Sequence, residues 1–340
     1  HDNNVIPAAG HICSNYQSFC MVAPLLSVCH MICVQQIGVV ILLQISKKFN
    51  HTEVVHHQAY SSFSPGLFDR PSFKELDKLI GLTEVKRMLA EITAFSLIQV
   101  MRSEQNLKSQ PVSLHMIFKG NPGTGKTTVA RILGKIFKDI GLLDKGHLVE
   151  VERADLVGEY IGHTAQKAKE AIQKALGGIL FVDEAYTLAQ GGEKDFGKEA
   201  IATIVKQMED NRDNLVVVLA GYCNEMDHFM RSNPGLRSRF PIHIQFNDYS
   251  CEELFQIALH LYSERDYVLS NAARWKLKHL LTEFCSHRHP HSGNARFVRN
   301  LTEKSIRRQA LRIIDKSRLT RKDLTTIEDI DLPELSELKA

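Results

Sequence analysis

The sequence predicts an α/β protein: a doubly wound, mostly parallel sheet followed by a small all-helical domain. Two observations carry this. Between residues 114 and 220, short and almost uninterrupted apolar runs alternate with segments whose apolar residues recur at helical spacing, the pattern of strands buried on both faces by crossover helices. From Cys251 onward the spacing is helical throughout, without a clear strand. With 44% hydrophobic residues in 340, the chain holds enough apolar material to fill the core such a fold needs.

Residues 1–60 form an unassigned N-terminal segment that differs from the rest. Met21 to Ile45 contains no Asp, Glu, Lys or Arg, and Lys47 and Lys48 follow at once. That length and flank match a bilayer span with the remainder on the cytoplasmic side. Pro24, His30, Gln35, Gln36 and Gln44 argue against it, and an irregular extension is the other reading. Membrane contact is therefore expected only if residues 21–45 are an anchor; otherwise the protein is expected to be cytoplasmic. His51, His56 and His57 have no acidic or cysteine partner at ligand spacing and read as a solvated loop. The seven cysteines show no zinc or redox spacing and read as separate reduced thiols.

Residues 61–72, rich in Ser, Pro and Gly, read as a linker. The α/β domain is expected over residues 73–248. Phe73 to Ile98 has helical spacing interrupted at Gly81. Leu114 to Phe118 reads as a buried strand, Arg131 to Ile140 as a helix, Gly146 to Val151 as a strand, and Thr164 to Leu176 as a helix. Gly178 to Val182 is a strand, Lys198 to Asn211 a helix, and Leu215 to Ala220 a further buried strand. Residues 249–334 are expected to form the helical domain.

Two motifs sit on this frame. Gly120-Asn121-Pro122-Gly123-Thr124-Gly125-Lys126-Thr127 matches the phosphate-binding loop, with the required strand before and helix after. Glycines let backbone N–H groups wrap phosphates, and the helix presents its positive end to them. Lys126 is placed to neutralise the β- and γ-phosphates of ATP, and the Thr127 hydroxyl to ligate Mg²⁺. Thr128 completes the loop. The second motif, Ile179 to Glu184, is an apolar strand ending in two acids. It delivers Asp183 to the carboxyl edge of the sheet, where it can hold Mg²⁺ through water, and sets Glu184 to polarise the attacking water as general base.

The order of phosphate loop, acidic strand, Arg-bearing turn and helical segment resembles the AAA+ ATPases. Within them, three runs resemble the family that groups stage V sporulation protein K with the red-type Rubisco activases: Gly158 to Thr164, Gly177 to Tyr186, and Asn233 to Phe240. The likeness spans roughly residues 73–334. Phe118 to Gly123 and Glu193 to Glu199 are more similar to the sporulation member. The resemblance implies an AAA+ core with a helical lid and further roles. Ile80 and Gly81 would enclose the adenine. Arg239 would be the arginine finger that reaches the γ-phosphate of a neighbouring subunit, with Arg237 as the alternative. Arg296 would be the lid arginine that senses nucleotide. The family's water-positioning Asn after the strand Leu215 to Ala220 has no clear match here: Tyr222 or Asn224 would serve, or neither. Tyr160, Ile161 and Gly162 match the aromatic–aliphatic–Gly loop that lines the pore of unfoldases.

Three function classes follow. A ring, implied to be a hexamer, that remodels a protein client is the first, either in spore formation or, like the Rubisco activases, on a metabolic enzyme complex. A nucleic-acid ATPase is disfavoured by a net charge of only +3, although Arg296, Arg299, Lys304, Arg307, Arg308 and Arg312 line up at helical spacing. A nucleotide-gated scaffold is disfavoured by the intact Glu184.

Overall fold

The computed structural model describes residues 69–109, 113–158, 160, 162–190, 196–287 and 293–338. The expectations for the Met21–Ile45 stretch and for His51, His56 and His57 lie outside these residues, as does Ile161. Among the described residues no helix is long and apolar enough to cross a membrane.

The chain enters through α1 (Pro71–Asp77) and α2 (Thr83–Glu104), the break at Gly81 that the sequence marks. Then β1 (Met116–Gly120), α3 (Lys126–Asp139), β2 (Leu148–Val151), the one-turn α4 (Arg153–Leu156), α5 (His163–Ala175) and β3 (Ile179–Val182) follow. After a 3₁₀ turn, Ala185–Ala189, come α6 (Gly197–Asp210), β4 (Val216–Gly221), α7 (Cys223–Ser232), the short α8 (Pro234–Arg237) and β5 (Ile242–Phe246). The five strands form one parallel sheet in the order β2-β3-β4-β1-β5.

Alternation within each strand sorts the core onto two faces. Ile117, Leu180, Val182, Val217 and Leu219 join one cluster with Ala168 and Ile172 of α5 and Ile204 and Met208 of α6. The opposite face takes α3, which packs on β2 and β3 and against α1 and α2. There Gly134 of α3 meets Gly146 so closely that a Cβ on either would fall 2.4 Å from the other's carbonyl oxygen. The doubly wound α/β sheet predicted from the sequence is the observed fold.

Beyond the sheet, α9 (Cys251–Ser263), β6 (Val268–Leu269), α10 (Asn271–Ser286), α11 (Asn294–Ile313), α12 (Arg321–Thr325) and β7 (Thr326–Ile327) build a second core around Leu254, Tyr262, Leu277, Leu281, Val298 and Leu301. Two details correct the sequence reading. This part is mostly helical, not all-helical, because β6 and β7 pair in parallel, a contact of two residues each that is too short for a periodic signal. The cysteines are not all separate: Cys251 opens α9 and Cys285 closes α10, so the hairpin of the two helices brings their Cα atoms to 6.1 Å and joins them as a disulfide.

Candidate nucleotide site

The carboxyl ends of β1, β3 and β4 gather the predicted residues on one edge of the sheet. The loop after β1 turns on Gly123 (φ +71°) and Gly125 (φ +95°), both in the left-handed region that favours glycine. The cradle is tight: a Cβ on Gly120 would sit 2.5 Å from the Phe246 carbonyl oxygen, and one on Gly123 would sit 2.2 Å from that of Gly293. Within it Thr124 is fully buried and its hydroxyl donates to the Asn121 carbonyl at 2.8 Å. Lys126, at the first turn of α3, donates to the Gly120 and Asn121 carbonyls at 2.8 and 2.9 Å. Burial lowers its pKa below the usual lysine range, opposed chiefly by the Asp183 carboxylate. Thr127 is half-buried beside it and Thr128 is exposed.

Asp183 follows β3 directly, its N–H donating to Val151 and its carboxylate accepting from the Glu184 N–H at 2.9 Å. Glu184 is exposed and adopts φ +46°, ψ +42°, a left-handed backbone that costs a non-glycine residue about 1–3 kcal/mol. The strain is held by its carbonyl, which accepts from both the N–H and the hydroxyl of Thr187. Tyr222, at the end of β4, has its phenol raised above the ordinary range by burial and then by Glu184, with Arg296 pulling it down. Asn224, the other candidate, is exposed on the first turn of α7.

The entry turn forms another wall. Ile80 and Gly81 are half-buried, Gly81 at φ +66° and Leu82 at φ +57°. The buried Lys86 holds this turn by donating to the Asp77 and Leu79 carbonyls at 3.0 and 2.5 Å. Glu253 packs on it, so that a Cβ on Gly81 would fall 2.3 Å from Glu253 Oε1. The adjoining cavity, about 210 Å³, is lined by Leu82, Val85, Asn247, Tyr249 and Glu253.

The helical part closes the site through residues the sequence reading gave no role. Asn294 is fully buried at φ +42°. Its side-chain N–H groups donate to Asp248 at 2.8 Å and Pro122 at 3.4 Å, and its carbonyl accepts from the Tyr249 N–H at 3.1 Å. Asp248 also accepts from Asn121, and the Tyr249 hydroxyl donates to the Thr124 carbonyl at 3.3 Å. Burial pushes that phenol up to about 12. Next along α11, the Ala295 N–H donates to the Gly123 carbonyl at 3.1 Å, which carries Arg296 to the Lys126 side of the loop. The only signal for Asn294 in the sequence is its place after Gly293, where an Asn reads as an ordinary helix start.

Two predicted groups lie elsewhere. Tyr160 is 66% exposed, edge-on to His163 at 5.6 Å, in a loop whose ends are pinned where the Gly158 N–H donates to the buried Thr164 hydroxyl. Gly162, at φ +86°, has open space around it. Arg239 sits before β5, at the amino edge, where its carbonyl accepts from Ser113. Five strand residues, roughly 16 Å at ~3.3 Å each, separate that edge from the phosphate loop of the same subunit. Arg237 is exposed near Lys119, Asp227 and Arg231.

The residues present suit a nucleoside triphosphate with a divalent cation: a glycine cradle of the right tightness, a buried ammonium, a hydroxyl and a carboxylate for the cation, and a second carboxylate facing outward. Residues 116–248 match the ATPase family associated with various cellular activities (AAA), and residues 250–339 match the AAA lid domain. Over 260 residues the chain is 56% identical to Stage V sporulation protein K of Bacillus subtilis (strain 168), covering 76% of this chain and 81% of that one. It is 44% identical over 264 residues to the chloroplastic ribulose bisphosphate carboxylase/oxygenase activase of Cyanidioschyzon merolae (strain NIES-3377 / 10D), covering 76% and 89%. The FIGL-1 AAA domain shares the fold at a TM-score of 0.54 and 16% identity, covering 77% of this chain and 81% of that one.

Proposed function

We propose that this chain, which belongs to the AAA family of ATPases, is a Mg²⁺-dependent motor that works as a homo-oligomeric ring, taken to be a hexamer, and remodels a protein client. The observation that carries the reading is the split of the site between two edges of one sheet. Lys126, Thr127, Asp183, Glu184 and Arg296 share the carboxyl edge, while Arg239 stands at the amino edge. An arginine so placed serves a neighbour's nucleotide, which requires subunits arranged head to tail.

In that arrangement the N–H groups of Asn121 and of Gly123 to Thr128 bind the phosphates and Lys126 neutralises the β- and γ-oxygens. The turn of Ile80 and Gly81 takes the base. Thr127, through its hydroxyl, and Asp183, through a water, would hold Mg²⁺, which supplies charge neutralisation across the phosphates. Glu184 orients and deprotonates the attacking water, and Tyr222 positions it. The neighbour's Arg239 stabilises the charge on the transferred phosphoryl group. Tyr160, Ile161 and Gly162 form the loop that grips the client, for which the exposed ring of Tyr160 is suited.

The likeness to the sporulation protein supports a client in spore formation. The likeness to the Rubisco activase supports a second reading, a client among metabolic enzyme complexes. Against a nucleic-acid role, three of the six basic residues on α11 are paired within the chain. Lys304 and Arg308 pair with Glu337 at 3.1 and 2.5 Å, and Arg312 with the buried Asp331 at 2.8 Å. The protein is taken to be cytoplasmic.

The test is steady-state ATPase rate against protein concentration for wild type and three variants. The expected result is a rate per subunit that climbs with concentration. It should fall about 100-fold or more in Glu184→Gln and about 1000-fold in Arg239→Ala, and survive in Tyr160→Ala, which loses client remodelling only. A rate per subunit that is flat with dilution and indifferent to Arg239 would refute the shared site.

A further inference from the structure

Arg239 is not free in its own subunit. Its Nη1 donates to the Gly235 carbonyl at 2.9 Å, and its Nε lies 3.0 Å from Glu209 Oε1. The Nε contact is an ion pair rather than a hydrogen bond, because the N–H points off the line to the carboxylate although no solvent reaches it. The guanidinium is therefore held on one side by a carbonyl and on the other by a charge. Its third nitrogen, Nη2, is left for another acceptor.

Glu209 is an odd residue for its position. It lies in the last turn of α6, a turn with no basic residue, beside Asp210, so its charge opposes the helix macrodipole. Within the subunit the compensating cation is Arg239. The other end of α6 rests on the 3₁₀ turn that follows the two acids. A Cβ on Gly197 would fall 2.1 Å from the Leu188 carbonyl oxygen, one 3₁₀ turn after Glu184. The 14 residues of α6, roughly 21 Å at ~1.5 Å each, thus run from the Glu184 edge of the sheet to the Arg239 edge.

We infer that Glu209 is a positioning residue for Arg239. It holds the guanidinium at the amino edge in the orientation in which the neighbouring subunit's nucleotide meets it, and through α6 it ties that orientation to the 3₁₀ turn that follows the subunit's own Asp183 and Glu184. The inference rests on the reading of Arg239 as the finger. It assigns Glu209 no contact with nucleotide. A misplacement of about 1 Å in such a group is worth on the order of 100-fold in rate.

The experiment is a double-mutant cycle on kcat at ring-forming concentration, with Glu209→Gln, Arg239→Ala and the double variant, together with ring size and thermal melting. Glu209→Gln keeps the shape and removes the charge. Expected is a fall in kcat of about 10- to 100-fold with KM for ATP, ring size and melting unchanged. The double variant should be no slower than Arg239→Ala within about twofold, because both changes act through one guanidinium. Glu209→Asp, one methylene shorter, should fall between wild type and Glu209→Gln. Wild-type kcat in Glu209→Gln, or a double variant that multiplies the two losses, overturns the positioning role while leaving the finger standing. Wild-type kcat in Arg239→Ala overturns the finger, and the role of Glu209 with it.

Discussion

Two glycines with nearly the same backbone offer a controlled test of how the helical part meets the phosphate loop. Gly123 (φ +71°) and Gly141 (φ +79°) both occupy the left-handed region, where alanine costs about 1–2 kcal/mol. At Gly141 a Cβ would meet nothing within 4 Å, whereas at Gly123 it would lie 2.2 Å from the Gly293 oxygen and 2.8 Å from the Arg296 nitrogen. To relieve that clash, α11 must withdraw by about 1 Å. The 3.1 Å bond from Ala295 to the Gly123 carbonyl then opens beyond hydrogen-bond range, a loss of about 0.5–1.5 kcal/mol. Gly141→Ala should lower stability by the backbone cost alone and bind nucleotide normally. Gly123→Ala should pay a similar backbone cost and also bind a fluorescent ATP analogue about 2- to 13-fold more weakly, or worse as Arg296 moves away. Denaturant titration and equilibrium fluorescence read the two effects separately. If Gly123→Ala binds as tightly as Gly141→Ala, the lid does not bear on the phosphate loop as described.

Two predictions concern stability. His115 is buried, accepts the Val217 N–H on Nδ1 at 3.0 Å, and has its pKa lowered by desolvation from 6.5 to about 4. The unfolded chain therefore binds a proton that the native one refuses, so stability should fall by about 2 kcal/mol between pH 7 and pH 5. His115→Gln should flatten that part of the profile in urea titrations; an unchanged slope would place the acid sensitivity elsewhere. Arg312 meets the buried Asp331 through two 2.8 Å contacts. Arg312→Met strands the carboxylate and should cost about 3–5 kcal/mol, whereas the double change with Asp331→Leu should recover most of it. A melting temperature unmoved by Arg312→Met would show the pair to be solvated.

What the sequence made legible was what is local. The glycine spacing of residues 120–127 and the apolar run into Asp183 each encode their geometry within a few residues. The edge strand β5 went unread because only Ile242, Ile244 and Phe246 turn inward while His243 and Gln245 face out, so the five residues lack the continuous apolar signal of β1, β3 and β4. Asn294 escaped for a different reason. Its partners Pro122, Asp248 and Tyr249 lie 172, 46 and 45 residues away, and no spacing rule connects them. The pairing of Cys251 with Cys285 across 34 residues is likewise a product of the helical hairpin. Glu209 has no local signal either, because Arg239, which it meets, lies 30 residues away.

If Arg239 serves a neighbour as proposed, the placement of Lys126 and Arg239 on opposite edges of the sheet also sets an arithmetic of assembly. Subunits joined head to tail in an open row of n hold n − 1 complete sites, with a finger unused at one end and a phosphate loop unserved at the other. Closing the row adds the last site and removes both idle ends at one stroke. Under the proposed shared site a lone subunit would hydrolyse almost nothing, and the step from open to closed row would be the one at which every subunit both gives and receives an arginine.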